Sequence, residues 1–169
     1  MCAKMIKNYY SRNLLFIAAL ILLCACTTSP KFNTSDVDIH LTPQQSVANN
    51  EALGKRVLWG GVIIDSKNLT NKSQLEILAY PLTSSHRPNL DKEPLGRFLA
   101  SKEAYLETKD YTQGRLITIL GTLEKRVAGK IGESEYIYPV ANIEESFIWK
   151  KSSSSDTQFH IGIGVLFHN

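Results

Sequence analysis

The segment RLITILGTLEKRV, residues 115–127, limits the fold of this chain more than any other feature. Ile117, Ile119, Gly121 and Leu123 recur at every second position. A helix would scatter them around its axis, whereas a strand places all four on one face. QLEILAY repeats the pattern: Leu75, Ile77 and Ala79 point one way, and Gln74, Glu76 and Tyr80 the other. Upstream, KRVLWGGVIID is also rich in β-formers, with Gly60 and Gly61 where a strand would bend or bulge. The polar SKNLTNKS between the two runs reads as a hairpin connection, and Pro81 ends the second strand because proline cannot donate to a ladder.

The rest of the domain is consistent with a sheet closing on itself. RFLASKEAYL is expected as a strand, with a short helix as the alternative, DYTQGR as the turn after it, and GKIGES as a tight turn. EYIYPVANIEESFIW returns as a strand whose Pro139 argues for an edge or a bulge. One short helix precedes them: Thr42 is the expected N-cap, Pro43 the first helical residue, Gln45 the reciprocal partner of a capping box, and Gly54 the stop. About five short strands with internal glycines and a single helix predict a mainly β fold, a small antiparallel OB-like barrel. The loop LTSSHRPNLDKEPLG is long enough to suggest a functional or mobile role.

The N-terminus sets the address. Lys4, Lys7 and Arg12 precede an uninterrupted apolar run, Leu14 to Leu23, and then small residues around Cys26. That order describes an export signal, and the run falls short of the roughly 20 apolar residues a bilayer span needs. Leu23, Cys24 and Ala25 before Cys26 form an apolar-small-small trio that looks like a bacterial lipobox, whereas bulky Leu22 and Leu23 disqualify Cys24. Cys26 is therefore the expected lipidation site, carrying diacylglycerol on sulfur and an acyl group on its new amine. Each buried CH₂ contributes about 0.8 kcal/mol, so several chains hold a domain where one would not. The expected partition is a signal peptide over 1–25, a lipidated N-terminus and flexible tether over 26–40, the barrel over 41–150, and a Ser-rich linker with a terminal strand over 151–169.

Charge and cysteine content narrow the function classes. Three of the nineteen Lys and Arg lie in the signal, leaving sixteen against sixteen acidic residues from Cys26 onward. A neutral domain lacks the basic footprint of a nucleic-acid binder. With Cys2 and Cys24 removed and Cys26 acylated, no thiol remains for a disulfide, a metal clip or a nucleophile. His40, His86, His160 and His168 lack metal-site spacing and read as isolated surface residues, linked to acid only through the readiness of imidazole to protonate. No GxSxG elbow or phosphate loop occurs. Glu144 and Glu145, adjacent on a strand, are expected on opposite faces, and Glu133 and Glu135 on a solvated turn. No catalytic residue, metal or cofactor is expected.

Aromatics recur along the strands. Tyr136 and Tyr138 share a face and, with Trp59, form the candidate ligand-binding set, because exposed rings stack on sugars or bases. In FHIGIGVLFH, Phe159, Ile161, Ile163, Val165 and Phe167 share one face; this strand is expected to complete the barrel or to pair with an exposed sheet edge.

In order along the chain, LWGGVI, LEILAYPL, Arg87-Pro88 followed by GRFLA, DYTQGRLITILGTL and GKIGESEYIYPV resemble the starvation-inducible outer-membrane lipoprotein (Slp) family of gammaproteobacteria. The resemblance spans about Arg56 to Trp149; the Ser-rich linker and the HIGIGVLF ending depart from it. It implies a small lipoprotein linked to stationary-phase or acid stress, without catalytic activity. Thr27, rather than Asp, follows the lipidated residue, which by resemblance to the sorting rule of enterobacterial lipoproteins makes the outer membrane the expected site. The expected partners are outer-membrane lipid, through the covalent acyl chains, and an envelope protein. The expected role is non-enzymatic, in envelope stability or as an adaptor under stress, with the domain facing the periplasm. The alternative is a periplasm-facing module that binds a glycan or a small hydrophobic ligand on the barrel face and the loop Thr83 to Leu95.

Overall fold

The alternating segment becomes β4 (Leu116–Ile131), and Ile117, Ile119 and Leu123 are fully buried. The computed structural model describes residues 30–107 and 109–150. Before β4 come β1 (Arg56–Asn68), β2 (Ser73–Tyr80) and β3 (Arg97–Lys102); after it comes β5 (Ser134–Ile148). They close into a barrel in the order β1-β2-β3-β5-β4. Closure removes the sheet edges that an open five-stranded sheet would leave unpaired. The small OB-like β-barrel read from the sequence is the observed architecture. One pairing departs from the antiparallel expectation: β3 and β5 run parallel through Leu99↔Val140, Ala100↔Ala141 and Ser101↔Asn142. The reason is connectivity. No hairpin joins these two strands, because β5 is already the hairpin partner of β4.

Alternation fills the interior. Leu75, Ile77 and Ala79 of β2 point in, joined by Val57, Trp59 and Ile63 of β1, Phe98 and Ala100 of β3, and Ala141 and Ile143 of β5. Trp59 and Phe98 meet edge to face at 5.0 Å. RFLASKEAYL is a strand only over its first six residues. After Lys102 the chain turns off the sheet, and Ser73 Oγ secures the departing loop by donating to Ala104 O at 2.9 Å and accepting from Leu106 N at 2.8 Å.

Glycines and bulges sit where the sheet bends, though not all where the sequence suggested. The β1 irregularity lies between Ile63 and Asp65, beyond Gly60 and Gly61. Those two glycines instead mark where β1 passes between both neighbours: it pairs with β4 over Arg56 to Val62 and with β2 from Gly60 onward. In β4 and β5 the register shifts between Leu123 and Lys125, opposite Ala141 and Val140 and beside Pro139, so the proline does accompany a bulge. A second shift makes Glu144 an extra residue, since Leu120 pairs with Glu145 and Gly121 with Ile143. This overturns the expectation that Glu144 and Glu145 lie on opposite faces; the bulge turns both outward, and both are exposed. Gly132, at φ 60°, opens the two-residue turn between β4 and β5 as a type II′ hairpin requires.

The helix α1 (Pro43–Ala48) carries the expected reciprocal cap: Gln45 N donates to Thr42 Oγ1 at 3.2 Å and Thr42 N to Gln45 Oε1 at 3.0 Å. It stops at Asn49, earlier than Gly54, and a 3-10 turn (Asn50–Ala52) follows before Gly54 takes φ 82°. Arg126 of β4 explains the early stop. Its guanidinium donates to the carbonyls of Ser46, at 2.8 Å, and Asn49, satisfying groups the helix end leaves open.

Candidate functional site

The described part of the N-terminal segment does not hang free. Val37 bridges to Arg56 in parallel, Asp38 N donates to Arg56 O at 3.0 Å, and Arg56 Nη1 donates to Ser35 O at 2.9 Å. Lys55 Nζ lies 3.2 Å from Asp38 Oδ2. Farther upstream, the Phe32 ring packs against His86 at 5.9 Å. The flexible tether expected to residue 40 is thus bound to the barrel from Phe32 on, because these backbone groups find partners at the start of β1.

This docking shapes a cleft of about 470 Å³ at the end of the barrel. One wall is Ile39, His40, Leu41, Thr42 and Pro43; the floor is Leu58, Trp59, Gly60, Ala79 and Tyr80; the other wall is Pro81, Leu82, Thr83, His86 and Leu95. The lining is largely apolar, with hydroxyl and imidazole groups and no carboxylate. Its size and its few polar groups fit a site for a small, mainly apolar ligand better than one for acid–base chemistry. Trp59 is 5% exposed, and its Nε1 donates to Leu41 O at 2.7 Å, which fixes the indole between core and cleft.

The long loop after β2 is held across its base and tip. Leu95 N donates to Ala79 O at 2.8 Å and Ala79 N to Gly96 O at 2.9 Å. Within it, Thr83 N donates to Arg87 O at 2.8 Å and His86 N to Thr83 O at 2.9 Å. His86 adopts φ 64°, the left-handed region uncommon for a side chain of its size. Thr118 Oγ1 of β4 explains how it is held: it donates to His86 O at 2.6 Å and accepts from Trp149 Nε1 at 3.0 Å. The Arg87 guanidinium stands over the Trp149 ring at 5.2 Å. The loop is pinned to β4 and to the residue after β5, so one cleft wall is fixed.

Of the candidate ligand-binding residues, only Trp59 lines this cleft. Tyr138 is buried, at 5% exposure, and Tyr136 half-buried, which corrects the expected exposed stacking face. Their rings pair edge to face at 4.7 Å, Tyr136 Oη accepts from Arg97 N at 2.8 Å, and Tyr138 Oη donates to Glu76 Oε1 at 3.2 Å. Burial first, and then the Glu76 carboxylate, push the Tyr138 phenol up. The pair braces the β4–β5 arm against Glu76 and Arg97, which themselves bridge at 2.7 Å. Cys26 lies outside the described residues, as does the C-terminal strand with His160 and His168. Among the described residues no three His, Cys, Asp or Glu gather as metal ligands.

Two carboxylates bind the segment and the barrel rim. Glu144 Oε2 accepts from Arg56 Nη2 at 2.8 Å and Nε at 3.0 Å, and Oε1 accepts from Thr122 Oγ1 at 2.7 Å. The Arg56 hydrogen bonds, then that of Thr122, hold Glu144 below the usual carboxylate range; the Lys55 hydrogen bond does the same for Asp38. A carboxylate with a depressed folded pKa contributes stability that is complete above its unfolded pKa, about 4, and lost as pH falls through the folded value. The melting temperature should therefore hold steady from about pH 7 to pH 5 and fall below about pH 4. Asp38→Asn should shrink that fall; an equal fall in this variant would show that the Asp38–Lys55 pair contributes nothing.

Sequence reasoning reached part of the cleft, Trp59 and the loop Thr83 to Leu95, and missed the wall from Ile39 to Pro43. The available signal was apolar Leu58, on the face of β1 opposite its core residues, buried in the fold and lining the cleft. Outward apolar residues on a half-buried strand announce that something covers them.

Comparison with known proteins identifies the family of the chain. The model of the Outer membrane lipoprotein Slp family matches residues 23–165. The match includes Cys26 and runs beyond Trp149, so the Ser-rich linker and the start of the terminal strand, expected as departures, fall within it. The chain is 30% identical over 128 residues to the uncharacterized lipoprotein YeaY of Escherichia coli K12, covering 73% of this chain and 64% of YeaY. It thus spans less than two thirds of that relative. Outer membrane protein Slp of the same organism is 25% identical over 160 residues, 89% of this chain and 81% of Slp. An uncharacterized protein of Haemophilus influenzae is 29% identical over 145 residues, 85% and 79% of the two chains. With the barrel, the N-terminal cysteine region and most of its length inside the match, this chain belongs to the outer membrane lipoprotein Slp family.

Proposed function

We propose that the protein is a non-enzymatic binding module, fixed to the outer membrane through acyl chains on Cys26, whose cleft holds a small, mainly apolar ligand. The cleft at the end of the barrel carries this reading: it has the size and apolar lining of a ligand site and no carboxylate with which to do chemistry. The domain faces the periplasm in this reading. The resemblance that implies a role under starvation, stationary-phase or acid stress supports an envelope function, and an adaptor role toward an envelope protein is the second form of it.

Trp59 provides the test, because its indole floors the cleft. Titrating the folded domain with a naphthylamine-type apolar probe should change tryptophan emission saturably. Leu82→Glu places a carboxylate in the apolar wall and should weaken binding by about tenfold or more, since 1.4 kcal/mol is already tenfold. No saturable change in the unsubstituted protein would leave the adaptor role as the better account.

A further inference from the structure

The geometry points to the cleft-bearing end of the barrel as the surface that lies against the lipid bilayer. The inference rests on acylation of Cys26 and goes beyond it by orienting the domain. Five residues separate Cys26 from Phe32, and Phe32 is already packed on His86 at the cleft wall. Six Cα steps, even fully extended, span about 20 Å. The opposite end of the barrel, at the β1–β2 hairpin tip, is farther away: the eight residue steps of β1 from Gly60 to Asn68 cover about 26 Å. A chain fixed to lipid at one end and to the cleft wall at the other keeps the cleft end near the membrane.

The surface there suits that neighbour. Ile39, on the cleft rim, is 65% exposed, although it belongs to a segment otherwise bonded to the barrel. An isoleucine so placed gains by entering the headgroup–acyl boundary, where apolar side chains leave water. The contact is apolar rather than electrostatic, because the chain from Cys26 onward is neutral. It should therefore persist at high salt, unlike binding through a basic patch.

The test uses the lipidated protein in vesicles of phosphatidylethanolamine and phosphatidylglycerol that carry a chain-brominated phosphatidylcholine. Because Cys26 is acylated and the upstream cysteines are removed, an introduced cysteine is the one free thiol for a fluorophore. Ile39→Cys, with His40→Cys as a second rim position, is compared with Leu69→Cys at the hairpin tip; all three side chains are exposed, so folding is not at stake. The expected result is strong bromine quenching at 39 and 40 and none at 69, unchanged in high salt. A vesicle-bound, acylated protein whose rim labels stay unquenched, or whose tip label is quenched instead, overturns the orientation alone. An unmodified Cys26 in the intact mass overturns the anchor and the orientation together.

Discussion

Cys26→Ala should move the protein from the membrane fraction to the soluble fraction and abolish palmitate incorporation, while leaving the melting temperature of the barrel unchanged. The size of the effect follows from what holds the chain to the membrane. The described residues contain no helix long and apolar enough to cross it. The chain from Cys26 onward has no net charge to draw it to anionic lipid. Exposed Ile39 alone contributes at most about 3 kcal/mol. Several acyl chains at about 0.8 kcal/mol per CH₂ exceed that many times over. Stability should not follow, because among the described residues the barrel core begins at Leu41. A variant that remains with membranes would place the anchor elsewhere.

Gly61→Ala is the substitution expected to damage the fold most. A Cβ at this position would sit 1.9 Å from Leu78 O, 2.7 Å from Leu78 C and 2.9 Å from Ala79 Cα. All three are backbone atoms of β2, where Gly61 pairs with Ala79, so no side chain can swing away. The strands must part, and overpacking of this kind costs about 3 kcal/mol or more. Against a total stability of about 5–15 kcal/mol, the melting temperature should fall by roughly 10 °C or the protein should fail to accumulate folded. Gly132→Ala is the informative control. Nothing lies within 4 Å of its Cβ, and only the positive φ opposes it, at about 1–2 kcal/mol. Equal losses in the two variants would mean that backbone conformation, not the closeness of β1 to β2, decides the cost at Gly61.

What the sequence made legible was whatever depended on local periodicity. Residues 117–123 and 75–79 declared their buried faces because a strand's side chains alternate strictly, and Thr42 with Gln45 declared the helix start because a capping box is a four-residue device. Long-range contacts were not legible. Nothing in SSHRP says that the His86 carbonyl receives the Thr118 hydroxyl 32 residues later, or that Trp149 donates to that same hydroxyl. The exposure of Tyr136 and Tyr138 was misjudged for the same reason: their partners, Glu76 and Arg97, arrive from β2 and β3. Bulges were half-visible. Pro139 announced one, while the extra residue at Glu144 depends on register with Leu120 and Gly121, which the strand itself does not encode.

The intact mass of the protein extracted from membranes tests the account most directly. The account predicts a polypeptide that begins at Cys26 and is heavier than its amino acids by a diacylglyceryl group and one further acyl chain. A mass equal to the amino acids alone, or a chain that begins elsewhere, would contradict it.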